Sequence, residues 1–211
     1  MLTSQANDFV VNVVETRIHG RFLQRVGDRD RLLVGFHGYG ENAEKHLAEL
    51  RRIPGIERWS LAAVQALHPF YTRSNEVVAN WMTSQDRELA IADNVEYVRR
   101  VIRTLGPAAK LVFLGFSQGV AMAWRAAADV PSAGVITLDG DVPPDVAVAG
   151  VRLPPALVAR GLRDEWYTDE KFRKDVRFLE SVTRVTPIEL DAAHEWTDEF
   201  RVAAGEFLQG L

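Results

Sequence analysis

The stretch Leu111-Val112-Phe113-Leu114-Gly115-Phe116-Ser117-Gln118-Gly119 decides the fold. Its first half is an uncharged apolar run, the signature of a strand buried on both faces of a parallel sheet. Gly-x-Ser-x-Gly comes next, and the Ala-rich segment Val120 to Ala128 continues it, so the order is strand, sharp turn, helix. Gly115 and Gly119 carry no Cβ, which lets strand and helix close tightly around the turn. In a chain with 15 glycines a bare Gly-x-Ser-x-Gly can arise by chance. The flanking strand and helix give it weight. Function is therefore to be sought in what else converges on Ser117.

Composition narrows the classes. The chain has 211 residues, 47% of them hydrophobic, enough for one large core, and one domain over residues 1–211 is expected. Its 25 basic and 29 acidic residues give a net charge of −4, and the basic residues cluster no further than pairs such as Arg51-Arg52 and Arg99-Arg100. That argues against a nucleic-acid partner. There is no cysteine, so disulfides, thiolate metal sites and cysteine nucleophiles are excluded. Met1 to Gly20 contains no positive segment followed by a sustained apolar block, and no window approaches the ~20 apolar residues of a spanning helix. The expectation is a soluble, cytoplasmic protein with no membrane insertion. The oligomeric state is left open.

Outward from Ser117 the same grammar repeats. Arg31 to Phe36 is a short strand ending in His37-Gly38-Tyr39-Gly40, and a helix follows from Glu41-Asn42 to about Arg51. Trp59 to Val64, Gly134 to Leu138, Pro155 to Arg160 and Val185 to Leu190 read as further strands. Ile91, Val95, Val98, Ile102 and Leu105 make one apolar stripe, which places a helix from about Asp86 to Thr104 with Thr83-x-x-Asp86 as its capping box. Two more helices are expected, from about Thr168 to Val182 and from after Glu195 to about Leu208. At the N-terminus, Phe9 to Thr16 and Ile18 to Val26 are two β-prone runs that suit an antiparallel opening hairpin. The segment from Gln65 to Ser84 has no clean period. Alternating strands and helices imply an α/β fold, a mainly parallel central sheet with helices on both faces, whose catalytic groups gather beyond the C-terminal strand ends.

A serine hydroxyl needs a base within hydrogen-bond reach and an acid that orients the base. Of five histidines, His19 lies in the expected hairpin, His46 inside an amphipathic helix and His68 in an irregular loop, while His37 before Gly38 suits turn building. Only His194 sits in a loop after the last strand. Asp164, just past the strand Pro155 to Arg160, is the acid of choice in the chain order Ser, Asp, His, with Asp139 and Asp141 as rivals and Glu165 and Asp169 behind them. An oxyanion forming on a carbonyl needs fixed N–H donors. Gln118, the residue after the nucleophile, supplies one, and Tyr39 the other, with Gly38 as its alternative. No two histidines fall at i, i+4 on one helix, and no His/Asp cluster has ligand spacing, so no metal site is expected.

His37-Gly38-Tyr39-Gly40, Gly115-Phe116-Ser117-Gln118-Gly119, Asp164 after Gly161-Leu162-Arg163, and Ala193-His194-Glu195 together resemble the phospholipase/carboxylesterase family of α/β-hydrolases, which includes acyl-protein thioesterases. The resemblance runs from about Leu32 to the C-terminus. It implies a serine esterase, with no cofactor, that acts on small carboxylic esters or thioesters. Val120 departs from it, standing where a second glycine is expected. Tyr39 departs too, in a position where the family often has leucine.

Alternatives on the same residues are an amidase, a peptidase or a dienelactone-type hydrolase, and a non-catalytic binding module of the same fold. The separation of 15 positions from Asp139 to Pro154 is too short for a cap domain, so the site should be open and suit small, soluble esters without activation at lipid interfaces. Phe70, Tyr71 and Trp81 are the candidates for an apolar wall beside Ser117.

Overall fold

A computed structural model describes residues 10–148 and 150–211. Seven strands form one sheet: β1 (Phe22–Arg25), β2 (Asp28–Phe36), β3 (Trp59–Val64), then, after a separate hairpin of β4 (His68–Tyr71) and β5 (Val77–Asn80), β6 (Lys110–Phe116), β7 (Gly134–Leu138), β8 (Ala156–Gly161) and β9 (Val185–Leu190). Their spatial order is β1-β3-β2-β6-β7-β8-β9. Every neighbouring pair is parallel except β1 with β3.

The strand sequences explain the layering. Alternate residues of each central strand feed two separate cores, because successive side chains leave a strand on opposite faces. On β6, Leu111 and Phe113 join the core under α2 (Arg87–Leu105), α3 (Gln118–Asp129) and α4 (Asp169–Glu180). Val112, Leu114 and Phe116 join the other, under α1 (Ala43–Leu50) and α5 (Asp198–Gln209). Burial on both faces is why these strands are near-continuous apolar runs.

The chain steps from β2 to β3 in one direction and later places β6 on the opposite side of β2. That reversal leaves a crevice between the loops after β2 and β6. One of those loops is His37-Gly38-Tyr39-Gly40 and the other is Ser117. Among the described residues, the connection from β7 to β8 contains no helix and no cap stands over the crevice. Among the described residues no helix is long and apolar enough to cross a membrane.

Three expectations need correction. The antiparallel pairing at the N-terminus exists, but it runs between β1 and β3, with Phe22 opposite Val64, and does not join the two N-terminal runs. Phe9 lies outside the described residues, and Val10 to Thr16 forms no strand. Val10-Val11-Asn12-Val13-Val14 puts valines on both faces of any strand it makes, so no edge pairing could bury them together. The Gln65 to Ser84 segment contains the β4–β5 hairpin, closed by Thr72 N–H to Glu76 O at 2.9 Å with Asn75 at φ +63°. Finally, Thr83 caps no helix: its Oγ1 accepts the Gln85 N–H, and Asp86 enters α2 with φ +47° and no side-chain cap.

Candidate active site

Ser117 has φ +52° and ψ −121°, a conformation that costs a non-glycine residue energy and that the packed surroundings enforce. A Cβ on Gly119 would lie 2.1 Å from Phe36 O, and one on Gly115 would lie 2.6 Å from the Gly119 carbonyl oxygen. The two glycines are therefore what lets α3 start directly against β6 and β2. Val120 is fully buried, and Gly140 makes room for it, since a Cβ there would meet the Val120 Cβ at 2.6 Å. The missing second glycine of the turn is thus compensated across the loop after β7.

Three elements meet at the serine. Ser117 Oγ donates to His194 Nε2 at 2.7 Å, and His194 Nδ1 donates to Asp164 Oδ2 at 2.8 Å. Asp164 Oδ1 accepts the N–H groups of Trp166 at 2.7 Å and Tyr167 at 3.0 Å. Burial works to raise Asp164, but the hydrogen bond from His194 and the two backbone N–H groups outweigh it, and the carboxyl stays below its ordinary range. The acid that meets His194 is therefore Asp164. Asp141 is exposed, and Asp139 bonds backbone instead.

The two expected oxyanion donors are also distinguished by their surroundings. Gly38 N–H is held by Glu41 Oε2 at 2.8 Å and Gly40 N–H by Ala79 O at 3.1 Å. Among the described residues, the N–H groups of Tyr39 and Gln118 have no protein acceptor. Gln118 also braces the wall of the crevice: its Oε1 accepts Trp81 N–H and its Nε2 donates to Met82 O, each at 2.8 Å. His37 is a turn builder, as its place before Gly38 implies. Burial pushes it down to about 4, and the neutral ring accepts Ala66 N–H at Nε2 and donates to Gly38 O from Nδ1. His46 is packed inside the protein, where burial holds it well below its usual value.

Trp81 requires correction. It is fully buried, its ring lies 5.7 Å from Phe36, and its Nε1–H bonds His37 O at 2.9 Å, so it belongs to the core beneath the loop and lines no cleft. Trp81→Ala is expected to lower stability by ~3–5 kcal/mol and to reduce turnover of short and long esters alike, as melting curves and an ester series would show. Phe70 stacks on the Tyr39 ring at 5.6 Å, and Tyr71 is exposed; neither lines the cleft.

The cleft that does contain Ser117 and His194 has a volume of about 200 Å³. Met82, Ala121, Trp166 and Tyr167 give it an apolar side, and Arg87, Lys171, Asp139 and Asp141 a charged one. Trp166 and Lys171 were not legible as cleft residues, although Trp166 stands only two residues beyond Asp164. Lys171 Nζ donates to Trp166 O at 2.9 Å, which anchors the loop carrying that ring.

Asp139, Asp164 and His194 place potential ligand atoms within 4.8 Å of one another. These atoms are already engaged: both imidazole nitrogens and both Asp164 oxygens are bonded as above, and the Asp139 oxygens accept Gly161 and Glu195 N–H.

The sequence matches the family described as serine hydrolase (FSH1) over residues 29–174. No curated protein matches the chain. Solved structures of similar fold include a Bacillus cereus carboxylesterase (15% identity, 90% of this chain and 94% of that one, TM-score 0.71). Esterase PE8 is 20% identical over 92% of this chain and 99% of its own, with TM-score 0.73. The Zea mays acyl-protein thioesterase 2 is 16% identical over 91% and 99%, with TM-score 0.70.

Proposed function

Because the chain belongs to the serine hydrolase (FSH1) family, we propose that it hydrolyses small carboxylic esters, thioesters included, through an acyl-enzyme on Ser117. The observation that carries this reading is the unbroken hydrogen-bonded line from Ser117 Oγ through His194 to Asp164, at 2.7 and 2.8 Å.

The chemistry follows from that line. Ser117 Oγ attacks the carbonyl carbon as its proton passes to His194 Nε2, and Asp164 stabilises the imidazolium while fixing its tautomer. The carbonyl oxygen becomes an oxyanion, for which the N–H groups of Tyr39 and Gln118 are the donors. Collapse breaks the bond to the leaving oxygen or sulfur, which takes the proton from His194. Water then attacks the acyl carbon, giving its proton to His194, and the carboxylic acid leaves as Ser117 regains its hydrogen. Esters and thioesters fit better than amides, since their leaving groups need less help from the acid.

Cleft volume and lining narrow the substrate. About 200 Å³ is less than the ~300–1,000 Å³ typical of pockets for drug-sized ligands. Arg87 and Lys171 have no carboxylate partner among the described residues, and, although Asp139 and Asp141 line the same cleft, these two cations are the groups that would favour an ester bearing negative charge. Arg87→Gln with Lys171→Gln should lower kcat/KM for a carboxylate-bearing aryl ester by about three- to tenfold, and that for aryl acetate hardly at all. Equal losses on both would remove the charge preference. The reaction itself is tested with matched aryl ester, thioester and anilide substrates. Turnover of the anilide as fast as the ester would make the protein an amidase, and no turnover of any would leave the binding-module reading.

A further inference from the structure

We propose that Asp139 is a positioning residue for this hydrolysis: its carboxyl ties together the loops that carry Asp164 and His194 and shares one proton with Asp164. The proposal rests on the acyl-enzyme reading for its kinetic consequence, but its proton can be observed without any substrate.

Asp139 is the first residue after β7 and is 2% exposed, with φ +55° in the left-handed region that non-glycine residues seldom occupy. Its own N–H donates to Ala159 O at 3.0 Å. Oδ1 accepts the N–H of Gly161, which closes β8 three residues before Asp164, at 2.8 Å. Oδ2 accepts the N–H of Glu195, next to His194, at 3.1 Å. One side chain thus fixes the two loops whose relative placement decides whether imidazole and acid meet. An unfavourable backbone conformation that persists in such a place is held there by its surroundings.

The same carboxyl has an oxygen within 4.8 Å of one on Asp164, whose carboxylate is itself kept ionised by three hydrogen bonds. Two buried carboxylates this close do not both ionise freely, so the pair retains a proton. Burial pushes Asp139 up to about 7, opposed by the Gly161 N–H and reinforced by the Asp164 charge. The charged groups around the pair are His194 from the β9–α5 loop, Asp141 on the same loop as Asp139, and Lys171 and Arg87 across the cleft. Below about pH 7 the pair carries one negative charge; above it, two. The imidazolium formed during attack then faces the stronger field, so attack is favoured at higher pH. A mere tether would hold the loops equally well on both sides of that pH.

The direct test is infrared difference spectroscopy of the intact protein against Asp139→Asn, free of substrate. The wild type should show a protonated carboxylic-acid band near pH 6 that disappears by about pH 8 and that the variant lacks. In kinetics, Asp139→Asn should keep KM and lose a rise in kcat of roughly tenfold across this range. Should Asp139→Asn fail to fold, Asp164→Asn serves instead, since removing the neighbouring charge must move the band's titration downward. A variant with the wild-type band and the wild-type pH profile would overturn the proposal. Absence of esterase activity with the band present would overturn the acyl-enzyme reading and leave the shared proton standing.

Discussion

Ser117→Ala is expected to lower kcat on aryl esters by roughly 10⁴- to 10⁶-fold while KM changes little, because only a group that bonds covalently to substrate is removed. Ser117 Oγ is the atom that His194 Nε2 faces at 2.7 Å, and alanine offers nothing in its place. The fold should survive. Ser117 N–H donates to Leu138 O at 2.9 Å and its carbonyl accepts Val120 N–H at 3.0 Å, and both bonds belong to the backbone. Steady-state kinetics beside a melting curve checks both halves. Residual turnover within tenfold of the wild type would mean that the nucleophile is elsewhere.

Asp164→Asn should be nearly as severe, with a drop in kcat of about 10⁴-fold at unchanged fold. Trp166 and Tyr167 N–H groups hold one carboxyl oxygen, so an asparagine keeps its amide oxygen there and turns its NH₂ toward His194 Nδ1. That nitrogen must then accept, which puts the ring proton on Nε2, facing Ser117, and removes the base. Asp141→Asn is the control: Asp141 is exposed and makes no hydrogen bond among the described residues. A larger loss from Asp141→Asn than from Asp164→Asn, at equal melting temperature, would contradict the wiring.

What the sequence makes legible is what periodicity and local turn chemistry control. β3 spans Trp59–Val64 as its apolar run implies, and α3 can begin at Gln118 because Gly115 and Gly119 leave room for so tight a turn. Asp164 and His194 could be placed because each follows a strand and the strands are parallel, so the ends converge. Side chains whose partners come from distant segments were not legible. Trp81 looks like a wall residue in an aromatic-rich segment until β4 and β5 pair and fold it beneath His37. Arg87, Trp166 and Lys171 reach one cleft from the start of α2, the loop after β8 and the first turn of α4. No local pattern announces such a meeting. The N-terminal valines mislead in the opposite way: high β-propensity without a one-sided face gives no strand.

The central claim is a covalent intermediate on one serine. The most direct measurement is the mass of the intact protein after reaction with a fluorophosphonate, followed by mapping of the modified peptide. One adduct per chain is predicted, on the peptide that contains Ser117, and none in Ser117→Ala. An adduct on any other residue, or equal labelling of the alanine variant, would contradict the account.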